Sequence, residues 1–214
     1  MITLTQQRVG VFVDVQNMYY SAKALYSAKV DFGRVLELAV RDRTLIRAIA
    51  YVIKADNKQE QTFFESLQKR GLEIKAKDLQ TFYGGNKKGD WDVGIAMDIM
   101  RLAGKLDVVV LVSGDGDFAE LLKHVKALGC RAEVVAFNQS MSSLLRPEVD
   151  TFVDLSLHPE ALIRDPRTQP SKPSAQPNLQ QRVAQQPTQR PATRPVQRQP
   201  QTVRRPQRRP VASK

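Results

Sequence analysis

The sequence predicts an α/β domain, a three-layer α/β/α sandwich around a mostly parallel sheet, followed by a disordered basic tail. Segments with strand and helix patterns alternate along residues 1–160, and this alternation is typical of a parallel sheet with helices on both faces. All 11 glycines and every Phe, Tyr and Trp also lie there, whereas ten of the 12 prolines lie in residues 161–214. We therefore expect one globular domain, residues 1–160, and a tail, residues 161–214, that cannot bury a core.

Six segments have the composition of strands. Residues 8–15 (RVGVFVDV) are a near-continuous β-branched and aromatic run, which predicts a strand buried on both faces. Residues 107–112 (DVVVLV) are the most hydrophobic of the six. The other four strands are expected at residues 44–53, 72–76, 131–137 and 151–155.

Five helices are expected to alternate with these strands. The first opens at Asn17, and Asp31 is a suitable N-cap for the second. Asn57 is the expected N-cap of the third, which Gly71 ends, and Gly129 ends the fifth. The segments are residues 17–27, 31–40, 57–70, 90–103 and 116–128, with a loop at residues 79–89.

Composition excludes several classes of protein. No apolar run reaches the ~18–20 residues that a membrane span requires, and the start of the chain lacks the pattern of a cleaved signal. The single cysteine, Cys130, cannot form an intramolecular disulfide, which fits a reducing compartment. Cys130, His124 and His158 lack the spacing of a zinc site, and His124 is expected on a helix surface. We expect a cytoplasmic protein without membrane association; its oligomeric state stays open, a homodimer included.

The positive charge is confined to the tail. Residues 1–160 carry 21 basic and 21 acidic residues, whereas residues 161–214 carry 12 basic residues and one acidic residue, which accounts for the net charge of +11. The guanidinium groups of its Arg-Pro and Arg-Arg groups suit a phosphate backbone, because they are permanently charged and bidentate. We expect RNA, free or in the ribosome, as the partner. A solubilising linker and a ligand for a proline-binding domain are the alternatives.

Aspartates follow the two most hydrophobic strands. Asp14 ends the first strand, and Asp115 and Asp117 lie just past the fourth. Because ligands bind outside the carboxyl ends of parallel strands, these side chains converge if the two strands are neighbours, with Asp92 leaning in from the preceding helix. Such a group repels itself unless a cation lies within it, and oxygen ligands alone favour Mg²⁺ or Mn²⁺.

Simpler explanations exist for some of these residues. Asp90, Asp92 and Asp117 stand at expected helix starts, where aspartate is a favoured cap. Asp14 has no such explanation, because an apolar strand end has no need of a buried charge. Asp98 lies six residues after Asp92, about 240° around the helix, and is therefore left outside the site.

Residues 114–119 (GDGDFA) match the G-x-G-x-x-A pattern of dinucleotide-binding loops. Their two aspartates would face the pyrophosphate that such a loop binds, so this function is rejected. Gly114 and Gly116 are instead expected to supply tight backbone turns that present the carboxylates.

Three motifs carry a resemblance to a known family: DVQN at residues 14–17, KGDWDV at 88–93 and SGDGDF at 113–118. Together they resemble the NYN domain of the PIN-like nuclease superfamily, with the LabA-like branch most similar. The resemblance implies a metal-dependent ribonuclease fold. It also implies that Asp14, Asp92, Asp115 and Asp117 occupy the family's metal-binding positions. Asn17 would match the polar residue after the first aspartate, and Ser113 the small residue before the last pair.

These features predict a metal-dependent ribonuclease that acts on RNA phosphodiester bonds. The catalytic and metal-binding residues are Asp14, Asp92, Asp115 and Asp117, the cofactor is Mg²⁺ or Mn²⁺, and the substrate contacts are Asn17, Ser113, Lys87 and Lys88. Lys87 and Lys88 are equally well explained as solvated loop lysines. Tyr83 and Trp91 could stack a base, although Trp91 also suits packing. The alternative is a non-catalytic RNA-binding or regulatory protein of the LabA-like type.

Overall fold

The fold is described from a computed structural model, which covers residues 5–54, 58–78, 80–81, 87–88 and 90–164. Residues 165–214 of the predicted tail, Asn57 as a helix cap and Tyr83 lie outside the described residues, so their predicted roles stay predictions.

A six-stranded sheet forms the centre of the domain. Its strand order is β4-β3-β1-β7-β8-β9, and every neighbouring pair is parallel. The strands are β1 (Arg8–Asp14), β3 (Thr44–Lys54), β4 (Glu73–Asp78), β7 (Val108–Val112), β8 (Arg131–Ala136) and β9 (Thr151–Asp154). Two antiparallel ladders lie outside it, between β2 (Lys29–Val30) and β10 (Leu162–Ile163), and between β5 (Gln80–Thr81) and β6 (Lys87–Lys88).

Helices cover both faces of this sheet, which confirms the three-layer prediction. They are α1 (Val15–Tyr26), α2 (Phe32–Val40), α3 (Lys58–Lys69), α4 (Asp92–Ala103) and α5 (Ala119–Ala127). Side chains on β1 alternate between two cores. Val11 belongs to the core that includes Met18 of α1, and Phe12 belongs to the core that includes Ile95 of α4 and Leu122 of α5.

The structure confirms the predicted strands to within a few residues. Asp31 caps α2 by accepting hydrogen bonds from the backbone N–H groups of Gly33 and Arg34, and Gly71 and Gly129 have positive φ angles after α3 and α5. The first helix begins at Val15, two residues earlier than expected. The segment predicted as one helix over residues 116–128 is instead a 3₁₀ turn followed by α5. Among the described residues, no helix is long and apolar enough to span a bilayer.

A buried ion pair links the start of β3 to β8. The Arg43 guanidinium donates to both Glu133 carboxylate oxygens at 2.9 Å, and it also donates to the carbonyl oxygens of Ala39 and Val40. Both side chains are almost fully buried. Arg43 therefore depends on Glu133 for its counter-charge and on the Ala39 and Val40 carbonyls for its other hydrogen bonds.

Breaking this pair is expected to destabilise the fold strongly. Glu133→Gln leaves the Arg43 charge buried without its counter-charge, so the free energy of unfolding should fall by about 3–5 kcal/mol. Urea denaturation measures the change. Glu37→Gln, which breaks the exposed Arg34–Glu37 pair, is the matched control and should leave the unfolding midpoint unchanged. Equal midpoints for the two variants would contradict the prediction.

Candidate active site

The carboxyl ends of β1 and β7 meet at one edge of the sheet. The two strands are hydrogen-bonded neighbours, with Val13 opposite Val112. The residues that follow, Asp14 and Ser113, therefore lie side by side, with the Ser113 hydroxyl 3.5 Å from an Asp14 oxygen. This confirms that the first and fourth strands of the predicted sheet are adjacent.

Asp14 is buried and also caps a helix. Its carboxylate accepts a hydrogen bond of 3.0 Å from the backbone N–H of Asn17, which fixes the start of α1. Burial raises the pKa of Asp14, and the nearby charge of Asp115 raises it further, against the lowering effect of its backbone hydrogen bonds. The cap explanation given for the other aspartates therefore applies to Asp14 as well, because the strand passes directly into the helix and needs a cap there.

Asn17 and Ser113 hold the turn after β7 in place. The Asn17 side-chain oxygen accepts a hydrogen bond of 3.0 Å from the Gly114 N–H, and the Ser113 hydroxyl accepts one of 3.2 Å from the Asp115 N–H. Asp115 in turn accepts a bond from the Asp117 N–H at 3.0 Å. These contacts position Asp115 relative to Asp14. Contact of Asn17 and Ser113 with substrate stays a prediction.

Gly114 and Gly116 are required by close packing. A Cβ atom on Gly114 would lie 2.6 Å from the Ser140 carbonyl oxygen, and one on Gly116 would lie 2.5 Å from the Ser142 hydroxyl. Neither glycine has a positive φ angle. A tight 3₁₀ turn does begin at Gly116, and both glycines also allow the segment after β8 to pack closely against residues 114–117.

Asp92 lies in the first turn of α4, where burial and neighbouring carboxylates disfavour its charged form. Burial, followed by the charges of Asp90, Asp115, Asp14 and Asp117, raises its pKa to about 6. In the part of the chain that the structure describes, no lysine, arginine or histidine forms an ion pair with Asp14, Asp92, Asp115 or Asp117. Asp98 and Glu133, by contrast, each pair with a cation. Among the described residues, the acidic group therefore has no counter-ion.

The carboxylate oxygens of this group suit a hard divalent cation, although the carboxylates lie too far apart for three of them to contact one ion. Among the described residues, no three acidic, histidine or cysteine side chains lie close enough to hold one metal ion together. Mg²⁺ commonly binds through one or two carboxylates and keeps several waters, so it does not need three direct protein ligands. Carboxylates of this group would therefore hold such an ion with some direct contacts and with water completing its coordination.

Asp98 faces away from this group but is not a surface residue. It is buried, and it accepts hydrogen bonds from the Tyr51 hydroxyl at 2.8 Å and the Lys75 ammonium at 2.6 Å. Although burial opposes the change, these two bonds lower the pKa of Asp98. Its exclusion from the acidic group stands, and its role is to hold α4 against β3 and β4.

Other residues singled out in the sequence have different surroundings. Lys87 and Lys88 form a short strand inside the predicted loop, and their side chains lie outside the described residues. Trp91 donates to the Val52 carbonyl at 2.8 Å and packs against Tyr51, with ring centroids 5.2 Å apart, so packing accounts for it. His124 is exposed on α5, as expected.

The stability of the protein without metal is expected to depend on pH through Asp92. With its pKa raised from 3.8 to about 6 by folding, Asp92 binds more protons in the folded than in the unfolded chain between these values. Its contribution to stability is therefore lost as pH rises through this window. Asp92→Asn removes that loss and should raise the free energy of unfolding at pH 7 by about 1 kcal/mol, after a discount for solvent screening. At pH 4 the gain should vanish.

Denaturant titrations at both pH values test this expectation. Asp98→Asn is the matched control on the same helix. Because folding lowers the pKa of Asp98, this variant should be destabilised at pH 7. If Asp92→Asn were also destabilised at pH 7, the repulsion described here would be absent.

Comparison with known proteins agrees with this geometry. A parallel sheet with acidic residues at the carboxyl edge of its central strands defines a PIN-like nuclease-type domain. The family model of the NYN domain matches residues 8–157, and the chain belongs to this family. The Low amplitude and bright protein LabA of Synechococcus elongatus is 27% identical over 157 residues, which are 70% of this chain and 84% of that protein. A crystal structure of a Vibrio parahaemolyticus protein of unknown function is 30% identical, with a TM-score of 0.69, and the match covers 76% of this chain and 100% of that one.

Proposed function

We propose that this protein is a ribonuclease that hydrolyses RNA phosphodiester bonds with Mg²⁺ or Mn²⁺ as its cofactor. The active residues are Asp14, Asp92, Asp115 and Asp117. One observation carries the proposal: the four carboxylates have no cation partner among the described residues, and burial together with the charges of Asp90, Asp115, Asp14 and Asp117 raises the pKa of Asp92 to about 6. A divalent cation would offset the repulsion between these carboxylates. A site that performs no chemistry would have little reason to keep four uncompensated charges.

The carboxylates would hold the cation and control a proton. A bound divalent cation supplies charge stabilisation to the phosphate and acidifies a water molecule. Asp14 is fixed by its hydrogen bond to Asn17 and suits a rigid ligand. A carboxylate of the group that contacts the cation through water would accept the proton. No histidine is needed for this step.

RNA is the proposed substrate because of the charge distribution. Residues 1–163 contain the acidic group, whose charge would repel a polyanion, whereas residues 164–214 carry 12 cations. Arg and Lys in that segment would supply contacts to phosphates that the acidic edge cannot. Sequence-independent capture by the basic segment and hydrolysis at the acidic edge are thus separate tasks.

Purified full-length protein should cleave labelled RNA with Mg²⁺ or Mn²⁺ and not with EDTA. Single-stranded and duplex RNA are compared, since the acidic edge is open to either. RNA binding without cleavage under all metal conditions would instead support the alternative, a non-catalytic RNA-binding or regulatory protein. The open spacing of the carboxylates and the similarity to LabA are the observations that favour that alternative.

A further inference from the structure

We propose that an aromatic pocket beside the acidic group, between α1, α2 and α3, binds an unpaired base of the RNA strand by stacking. The inference rests on the proposed function, because it assigns a subsite for the same substrate. The pocket has a volume of about 570 Å³, within the roughly 300–1,000 Å³ of typical ligand sites, and is large enough for a nucleotide. None of the four aspartates of the acidic group lines this pocket.

Aromatic rings from two helices form the walls of this pocket. Tyr19 and Tyr20 of α1 are 40% and 58% exposed, and their ring centroids are 5.4 Å apart in an edge-to-face arrangement. Phe63 of α3 is also exposed, and its ring lies 6.1 Å from those of both Phe32 and Phe64. Several large rings exposed together mark an interaction surface, and flat rings suit nucleobases of any sequence.

The pocket adjoins the acidic edge of the sheet. Val15 and Gln16, which line it, directly follow Asp14 in the chain. Along α1, Tyr20 lies one helical turn after Gln16 and on the same face, about 9 Å from Asp14 along the helix axis at 1.5 Å per residue. A base held by Tyr19 and Tyr20 would thus lie along the helix that begins at the acidic edge.

Cations around the pocket favour a nucleic acid as its occupant. Lys29 and Glu60 both line the pocket, and the Lys23 ammonium lies 5.7 Å from the centre of the Tyr19 ring. Arg70 pairs with Asp31 at the pocket, so this carboxylate is compensated. Ile163 lies at the rim, and the basic segment of the sequence begins at the next residue, Arg164. Stacking rings with flanking cations is the combination that binds single strands.

The test measures binding without cleavage, so that it does not depend on catalysis. Full-length protein in EDTA is titrated with a single-stranded RNA containing the fluorescent base 2-aminopurine, whose emission falls on stacking. Work at ~300 mM salt weakens the contribution of the basic segment. Tyr20→Ala and Phe63→Ala should each weaken binding by about 5- to 150-fold, the range for losing one stacked base, and should restore emission.

Matched variants separate stacking from folding. Tyr20→Phe keeps the ring and should bind as the unmodified protein does. Leu157→Ala changes an exposed apolar residue, 76% exposed, outside the pocket and should have no effect. Duplex RNA, whose bases are already stacked, should bind all variants alike. If the proposed ribonuclease activity fails while these results hold, the pocket stands as an RNA-binding site.

Three results would overturn the inference. The first is unchanged affinity of Tyr20→Ala and Phe63→Ala for the single strand, with their thermal melts showing an intact fold. The second is an equal loss of affinity for duplex and single strand. The third is a change of oligomeric state in sedimentation with RNA affinity unchanged, which would make the pocket a contact between protein copies.

Discussion

Asp14→Asn and Asp115→Asn are expected to abolish RNA cleavage and to leave the fold intact or more stable. Each substitution removes a proposed metal ligand, and the charge stabilisation from a metal ion is worth several kcal/mol, so the rate should fall at least about 100-fold. The fold should survive, because asparagine still accepts the backbone hydrogen bonds that Asp14 and Asp115 accept from Asn17 and Asp117. Single-turnover cleavage and thermal melts with and without Mn²⁺ measure both effects.

Asp42→Asn is the matched control for these variants. Asp42 is exposed and precedes β3, so it lies at the opposite end of the strands from the acidic group. It should keep the full cleavage rate and the full metal-induced rise in melting temperature. If Asp14→Asn and Asp115→Asn also kept that rise, the metal would bind elsewhere.

Deletion of residues 164–214 is expected to weaken RNA binding strongly at low salt. The deletion removes 12 cations and one anion, which leaves equal numbers of basic and acidic residues. Affinity at ~50 mM salt should fall at least about tenfold, and the slope of log affinity against log salt should flatten by about 0.7 for each lost contact with a single-strand phosphate. Binding and single-turnover cleavage between ~50 and 300 mM salt measure both quantities.

The cleavage rate at saturating RNA should survive this deletion, because all four proposed ligands lie in the body. Equal salt slopes for the two proteins would rule out electrostatic capture by the deleted segment. A lost rate at saturation, with the fold preserved, would mean that this segment takes part in catalysis.

The position of the acidic group could be predicted because it depends on a local signal and a general rule. The apolar runs of β1 and β7 are the strongest in the sequence, which places these two strands in the centre of the sheet. The carboxyl ends of neighbouring parallel strands meet at one edge. Asp14 is the last residue of the first run, and Asp115 lies three residues after the second. Their proximity thus required only that the two strands pair, which the register confirms.

Features that depend on distant segments could not be predicted. The packing of residues 140–142 against Gly114 and Gly116 is set by the path of the chain after β8. Asp98 is buried because Tyr51 and Lys75 are register partners on adjacent strands beneath α4. The aromatic pocket needs rings from both α1 and α3. In each case the signal is a juxtaposition in space, and no periodicity along the chain carries it.

The pairing of β1 with β7 also determines when the site exists during folding. Asp14 and Ser113, joined by a hydrogen bond across this pair, are 99 residues apart in the chain. Closing so long a loop is costly, so contacts of this separation form late and slowly. During synthesis β1 can pair with β3 long before β7 is available. Until then, the edge of β1 that pairs with β7 has no hydrogen-bonded neighbour. Assembly of the acidic group therefore waits until β7 pairs with β1, and a chain in which this pair has not formed keeps Asp14 apart from Asp115 and Asp117.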